Sequence, residues 1–118
     1  MGLGVQAIKN KKVYEMQAEI CKVLANAKRI EIIYLLKEGE KHVNELAETM
    51  DISKASVSQH LSLLKEKGVV SSKKEGLNVF YTINNQRFIE ACNLMREIMV
   101  DQLNELVDSS KEILSVEE

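Results

Sequence analysis

Proline and tryptophan are absent from the 118 residues, and only five glycines occur, two of them (Gly2 and Gly4) near the N-terminus. With so little to interrupt helices, most of the chain is expected to be helical. No apolar run approaches the roughly 18 to 20 residues that span a bilayer. Residues 1–10 lack the charged start and long apolar centre of a signal peptide, which points to the cytoplasm. There is no glycine-rich phosphate loop and no cluster of metal ligands. Neither a Ser-His-Asp nor a Cys-His arrangement is credible, because His42 and His60 lie far along the chain from Cys21 and Cys92. These absences argue against an enzyme, and they imply neither a metal nor a cofactor.

What is present is the composition of a soluble globular chain, 45% hydrophobic and 29% charged, where a disordered one would be far poorer in apolar residues. The length suits a single domain, residues 1–118, with one modest core. The formal net charge of −2 looks wrong for a nucleic-acid binder until the charges are located. Residues 53–74 hold Lys54, Lys65, Lys67, Lys73 and Lys74 against Glu66 alone, a local balance of +4. Residues 97–118 hold Glu97, Asp101, Glu105, Asp108, Glu112, Glu117 and Glu118 against Lys111, a balance of −6. The asymmetry suggests a cationic face for phosphates and an acidic face turned away from them. Solvated lysines without a nucleic-acid partner would give the same count.

Hydrophobic spacing supplies the elements. Val13, Met16, Ile20, Val23 and Leu24 form one stripe of a first amphipathic helix that Asn10 is placed to cap. Ala25-Asn26 interrupts it, and a second helix from Ala27 runs through Ile30, Ile33, Tyr34 and Leu36 to a stop at Gly39, so residues 10–39 read as two N-terminal helices. A short helix with Val43, Leu46, Ala47 and Met50 on one side follows. The turn Asp51-Ile52-Ser53 leads to another helix, expected over about residues 53–67. Ser53 caps it, Val57, Leu61 and Leu64 face inward, and Gly68 closes it. Residues 69–83 then change period, with β-branched and aromatic runs around Glu75-Gly76-Leu77-Asn78, which reads as a β-hairpin. A last helix is expected over residues 85–114, with Phe88, Cys92, Met95, Met99, Leu103, Leu106 and Ile113 among its apolar positions.

Helix, three-residue turn, helix and hairpin, in that order, describe a winged helix-turn-helix in residues 43–83, a mainly α fold with a small β-hairpin wing. Small Ala47 lets the two short helices cross closely, and Ile52 and Val57 fill the angle between them. Asp51 stands at the turn position where many such units have glycine, and aspartate tolerates the left-handed conformation better than most residues. If Val57, Leu61 and Leu64 face the core, Lys54, Ala55, Ser56, Ser58, Gln59 and Ser62 lie on or near the outer face of the recognition helix, beside the Ser53 cap. Short side chains there admit the helix deep into a major groove, Gln59 can pair with adenine, and the serines suit bases or phosphates. His60 is ambiguous between a contact to DNA and packing beside the hairpin. Lys73 and Lys74 on the wing, with Asn78, would reach the flanking backbone or minor groove. An ordinary serine-rich solvated face is the competing reading of the helix.

The stretch Glu19-Ile20-Cys21-Lys22-Val23-Leu24-Ala25-Asn26-Ala27-Lys28-Arg29, with Asn44-Glu45-Leu46-Ala47, Ser58-Gln59-His60-Leu61 and Lys74-Glu75-Gly76-Leu77-Asn78-Val79-Phe80-Tyr81, resembles the ArsR/SmtB family of bacterial and archaeal repressors over roughly residues 16–99. That resemblance implies a homodimer joined through the first and last helices, bound to double-stranded DNA at a palindromic operator and released by an effector. Apolar stripes on both terminal helices agree with it, since one small domain would struggle to cover them. Metal-sensing relatives use a cysteine pair on the first helix of the helix-turn-helix. His42 and Asn44 hold those positions here and cannot supply a thiolate site for a soft metal. A second family site on the last helix would begin at Asn85 and Arg87, with no histidine beyond. Cys21 and Cys92 remain as candidate sensor thiols for oxidation, persulfidation or a thiophilic species, or as small core residues. A constitutive regulator without an effector and a winged-helix module for protein contacts are the other readings.

Overall fold

The computed structural model describes residues 11–117. The order of elements is α1 (Lys11–Leu24), α2 (Ala27–Leu36), β1 (Lys41–His42), α3 (Val43–Met50), α4 (Lys54–Glu66), β2 (Val70–Glu75), β3 (Asn78–Ile83) and α5 (Arg87–Glu117). The expected helix-turn-helix and hairpin both form, and the capping role expected of Asn10 lies outside the described residues. Residues up to Gln86 and residues from Arg87 onward make two structural units. Among the described residues, no helix is long and apolar enough to cross a membrane.

Local chemistry accounts for each boundary in the first unit. The interruption at Ala25-Asn26 is a cap: the Asn26 side chain accepts from the Arg29 backbone N–H at 3.1 Å and starts α2. That helix ends at Leu36, one turn short of Gly39. The next residues make short-range turn bonds, and Gly39 takes φ +132°, a conformation that favours glycine. His42 starts α3, with its Nδ1 accepting from the Asn44 N–H at 3.0 Å while Glu45 accepts from the His42 N–H at 3.1 Å. This reciprocal arrangement satisfies two donors at a helix start. Asp51 adopts the left-handed conformation that the turn requires, φ 53° and ψ 49°, and Gly68 closes α4 at φ +76°.

The sheet has three antiparallel strands in the order β1-β3-β2, one more than the hairpin expected from sequence. Its extra strand is only two residues long, pairing Lys41 with Tyr81 and His42 with Phe80, and the His42 and Phe80 rings meet edge to face at 5.6 Å. So short a segment has no alternation to reveal it, yet it fastens the start of α3 to the wing. The hairpin pairs Val70 with Ile83 through to Glu75 with Asn78, which leaves Gly76-Leu77 as a two-residue loop.

The core of this unit collects Val23 from α1, Ile32, Ile33 and Leu36 from α2, Leu46 and Ala47 from α3, Val57, Leu61 and Leu64 from α4, and Val69, Val70 and Ile83 around the sheet. Val57, Leu61 and Leu64 are fully enclosed, as their spacing predicts, and each such burial contributes about 1.5–3 kcal/mol as an upper bound. Helix α2 is half-buried or buried on most of its surface, so its apolar residues form a wide band rather than a narrow stripe. On α1 the expected stripe is only partly covered: Val23 is buried, Val13, Ile20 and Leu24 are half-buried, and Met16 is exposed.

The second unit is one helix. Its 31 residues would extend about 46 Å at the usual rise. It begins two residues later and ends three residues later than residues 85–114. Met95, Met99, Leu103, Leu106 and Ile113 are exposed along it.

Candidate nucleic-acid interface

Helix α4 presents Ala55, Ser58, Gln59 and Ser62 to solvent away from its buried stripe, and Lys54 is exposed as its first residue. Ser53 precedes it with an extended backbone and a hydroxyl that accepts from the Ser56 N–H at 3.1 Å. The Ser53 oxygen therefore has a structural task at the helix start, and Ser56 is half-buried. Leu63 was not singled out from sequence. It is 41% exposed, and it follows Gln59 by four residues, which places it one turn further along the same side of the helix. An exposed apolar group in that position suits contact with a thymine methyl.

His60 stands apart from that surface. It is half-buried, and its Nδ1 lies 3.4 Å from Arg29 Nη1. Burial, the Arg29 guanidinium and the Lys28 ammonium all disfavour the imidazolium, so the His60 pKa sits below its ordinary value. Arg29 Nε also donates to the Val23 carbonyl. One guanidinium thus joins the end of α1, the start of α2 and the middle of the recognition helix. The packing partner of His60 is therefore the α1–α2 corner, where sequence had suggested the hairpin. Arg29 went unnoticed because its acceptors stand 6 positions before it and 31 after it, beyond any local pattern.

The lysine cluster divides by partner. Lys65 Nζ donates to Ser72 Oγ at 2.7 Å and couples the end of α4 to the base of the wing. Lys67 pairs with Glu19 of α1 at 3.3 Å. Lys73 meets Glu75 two residues along the same strand at 2.7 Å, and that hydrogen bond raises the Lys73 pKa. Lys54 and Lys74 make no ion pair among the described residues. Of the five, carboxylates offset the charge of Lys67 and Lys73, while Lys65 is held by a neutral hydroxyl. Asn78 is exposed at the foot of the wing loop.

Three comparisons match this arrangement. Residues 26–72 fit the family model described as bacterial regulatory protein, arsR family. The transcriptional repressor SdpR of Bacillus subtilis is 33% identical over 76 residues, covering 64% of this chain and 84% of SdpR. The chain belongs to the ArsR family. The transcriptional activator HlyU of Vibrio cholerae is 36% identical over 66 residues, which are 56% of this chain and 61% of HlyU. In structure, the homodimeric winged helix-turn-helix DNA-binding domain Mb0332 of Mycobacterium bovis superposes with a TM-score of 0.73 at 26% identity, over 80% of this chain and 88% of that domain. Family membership places the chain among transcriptional regulators with a winged-helix DNA-binding domain. Its relatives are named as regulators, not as enzymes.

His42, which the family resemblance sets at a metal-sensing position, directs its Nδ1 lone pair to the α3 cap. Cys21 is exposed on α1. Cys92 on α5 is half-buried, and burial pushes its thiol pKa up against the smaller opposing pull of Arg96. A raised pKa favours the thiol over the thiolate, the opposite of what a reactive cysteine needs.

Proposed function

We propose that the protein is a homodimeric repressor acting in the cytoplasm, which inserts α4 into the major groove at each half of a palindromic operator. The observation that supports this best is the division of α4 into a sealed apolar side and an outer side of small and polar groups, Ala55, Ser58, Gln59 and Ser62, with the unpaired charge of Lys54 at its start. In this reading Gln59 reads a base edge, Ser58 and Ser62 serve bases or phosphates, and Lys54 and Lys74 hold the backbone on either side. Ser53 and Ser56 contribute by fixing the start of the helix, where the Ser53 hydroxyl accepts from the Ser56 N–H. Lys73 and Asn78 are auxiliary contacts, and His60 orients the helix from behind. The apolar residues left exposed on α1 and α5, Tyr14, Met16, Met95, Met99 and Leu106 among them, supply the dimer contact.

Binding to the operator would block transcription, and an effector would release it. Cys21 and Cys92 are the candidate switch, through oxidation or a sulfur species. The half-burial of Cys92 and its raised pKa favour a second reading, a constitutive regulator without a thiol switch.

Selection of bound fragments from the source genome tests the main reading. A palindrome with half-sites about one helical turn apart, bound with an affinity that falls steeply with salt, is the expected result. No enrichment, or binding indifferent to salt, would refute it in favour of a protein-interaction module. Titrating the selected duplex with reduced protein, polysulfide-treated protein and Cys21→Ser separates the two regulatory readings. Equal affinities in all three would eliminate the thiol switch.

A further inference from the structure

The loop that closes the wing has a leucine at its outermost position. Gly76, at φ +63°, is the first of its two residues, and Leu77 has no positive φ, the pattern of a type II′ hairpin turn. Leu77 is 98% exposed, more than any other large apolar side chain among the described residues. Burial elsewhere in the fold does not explain it. A scattered surface leucine is unremarkable in itself, but this one occupies the tip of the projection beside the recognition helix.

We infer that Leu77 is an apolar minor-groove probe, which seats against the sugars and base edges of the minor groove flanking each half-site and favours flanks without a guanine amino group. The inference rests on α4 being the recognition helix. The reach fits. Ser72 is joined to Lys65 of α4 at 2.7 Å, and Leu77 lies five residues beyond it, about 16 Å at the usual strand rise. Neighbouring major and minor grooves are separated by half a helical turn, roughly 17 Å.

The charges at the wing tip favour an apolar contact. Lys73 is tied to Glu75 at 2.7 Å, so the tip has little net charge with which to hold phosphates, and Lys74 remains as its anchor. A leucine makes no hydrogen bond in the minor groove, but its isobutyl group suits a cleft about 6 Å wide. The guanine N2 amino group projects into that cleft, whereas an A·T pair presents only acceptors along its floor. Apolar side chains placed there can wedge against a base step. The wing therefore contributes a contact that does not depend on counterion release.

The test uses a fluorescein-labelled duplex from the genomic selection, built with G·C flanks and with inosine·cytosine flanks. Inosine removes only the minor-groove amino group and leaves the major-groove pattern intact. Wild-type protein is expected to bind the inosine duplex more tightly. Leu77→Ala should bind about 3- to 10-fold more weakly, lose the preference between the two duplexes and keep the wild-type slope of log affinity against log salt. Leu77→Arg should steepen that slope by about 0.9. Circular dichroism checks that both variants fold, as full exposure predicts.

An alanine variant that binds like wild type, or that keeps the inosine preference, would overturn the inference while leaving the recognition helix untouched. A change in the sedimentation of the free alanine variant would also overturn it, by assigning Leu77 to a protein contact. Failure of the wild type to bind any selected duplex would instead remove the DNA-binding reading and this inference together.

Discussion

Replacing Arg29 with alanine isolates the corner that holds the recognition helix. The Arg29 backbone N–H would still donate to Asn26, so the α2 cap stays intact and the loss is that of the side chain alone. The Val23 carbonyl, near the end of α1, would lose its charged donor, and a hydrogen bond of that kind contributes roughly 1.5–3 kcal/mol. The contact to His60 is long at 3.4 Å and adds only a few tenths. A total near 2 kcal/mol corresponds to a fall in Tm of roughly 8–15 °C for a domain of this size. Arg29→Lys should recover less than half, because one ammonium on a straight stem cannot address a carbonyl and an imidazole in divergent directions. Urea unfolding followed by circular dichroism, at one fixed protomer concentration, measures both variants. An alanine variant within about 0.5 kcal/mol of wild type would refute the role given to this side chain, and full recovery by lysine would refute its two-acceptor geometry.

Acidification should destabilise the protein through His60. Its folded pKa lies below the unfolded value of 6.5, so the unfolded chain binds more protons as pH falls through that range, and stability drops; His60→Gln should flatten this part of the unfolding profile. Gln59→Ala should weaken operator binding by about 1–3 kcal/mol and relax specificity at one base pair, read by competition with single-substituted duplexes. Lys74→Ala should weaken selected and random duplexes alike and reduce the salt slope by about 0.9 in fluorescence anisotropy titrations. Leu61→Ala should cost roughly 2–5 kcal/mol in urea unfolding, since the side chain is fully enclosed between α4 and the rest of the core.

The elements whose residues announce themselves locally were legible in sequence. Val57, Leu61 and Leu64 recur at helical spacing, Ser53 and Gly68 punctuate the ends of α4, and Asp51 suits a left-handed turn, so the recognition helix could be placed to within a residue at each end. The hairpin was legible for a similar reason, since β-branched and aromatic residues flank a glycine at a two-residue loop. Strand β1 was not, because two residues contain no period and its pairing with β3 depends on a segment almost forty positions away. The bounds of α5 also shifted, because neither a glycine nor a proline marks its ends.

Side-chain partnerships that cross elements form the part of the candidate site that sequence could not show. Spacing put Gln59 on the outer face of the helix but left His60 open between a contact to DNA and packing beside the hairpin. The fold separates them: Gln59 projects into solvent, while His60 meets a guanidinium held by the end of α1. Lysines divide in the same way, with Lys73 held by Glu75 and Lys65 by Ser72, so a count of positive charges overstates what is available to phosphates. Ser72 matters for a further reason. A recognition helix and a wing that moved independently would lose orientational entropy twice on binding, whereas the Lys65–Ser72 link and the α3–β1–β3 connection fix the wing relative to the helix before DNA arrives. Breaking the link with Ser72→Ala should therefore slow association or hasten dissociation without altering which base pairs Gln59 distinguishes, and a change in base preference would show that the wing's position is set elsewhere.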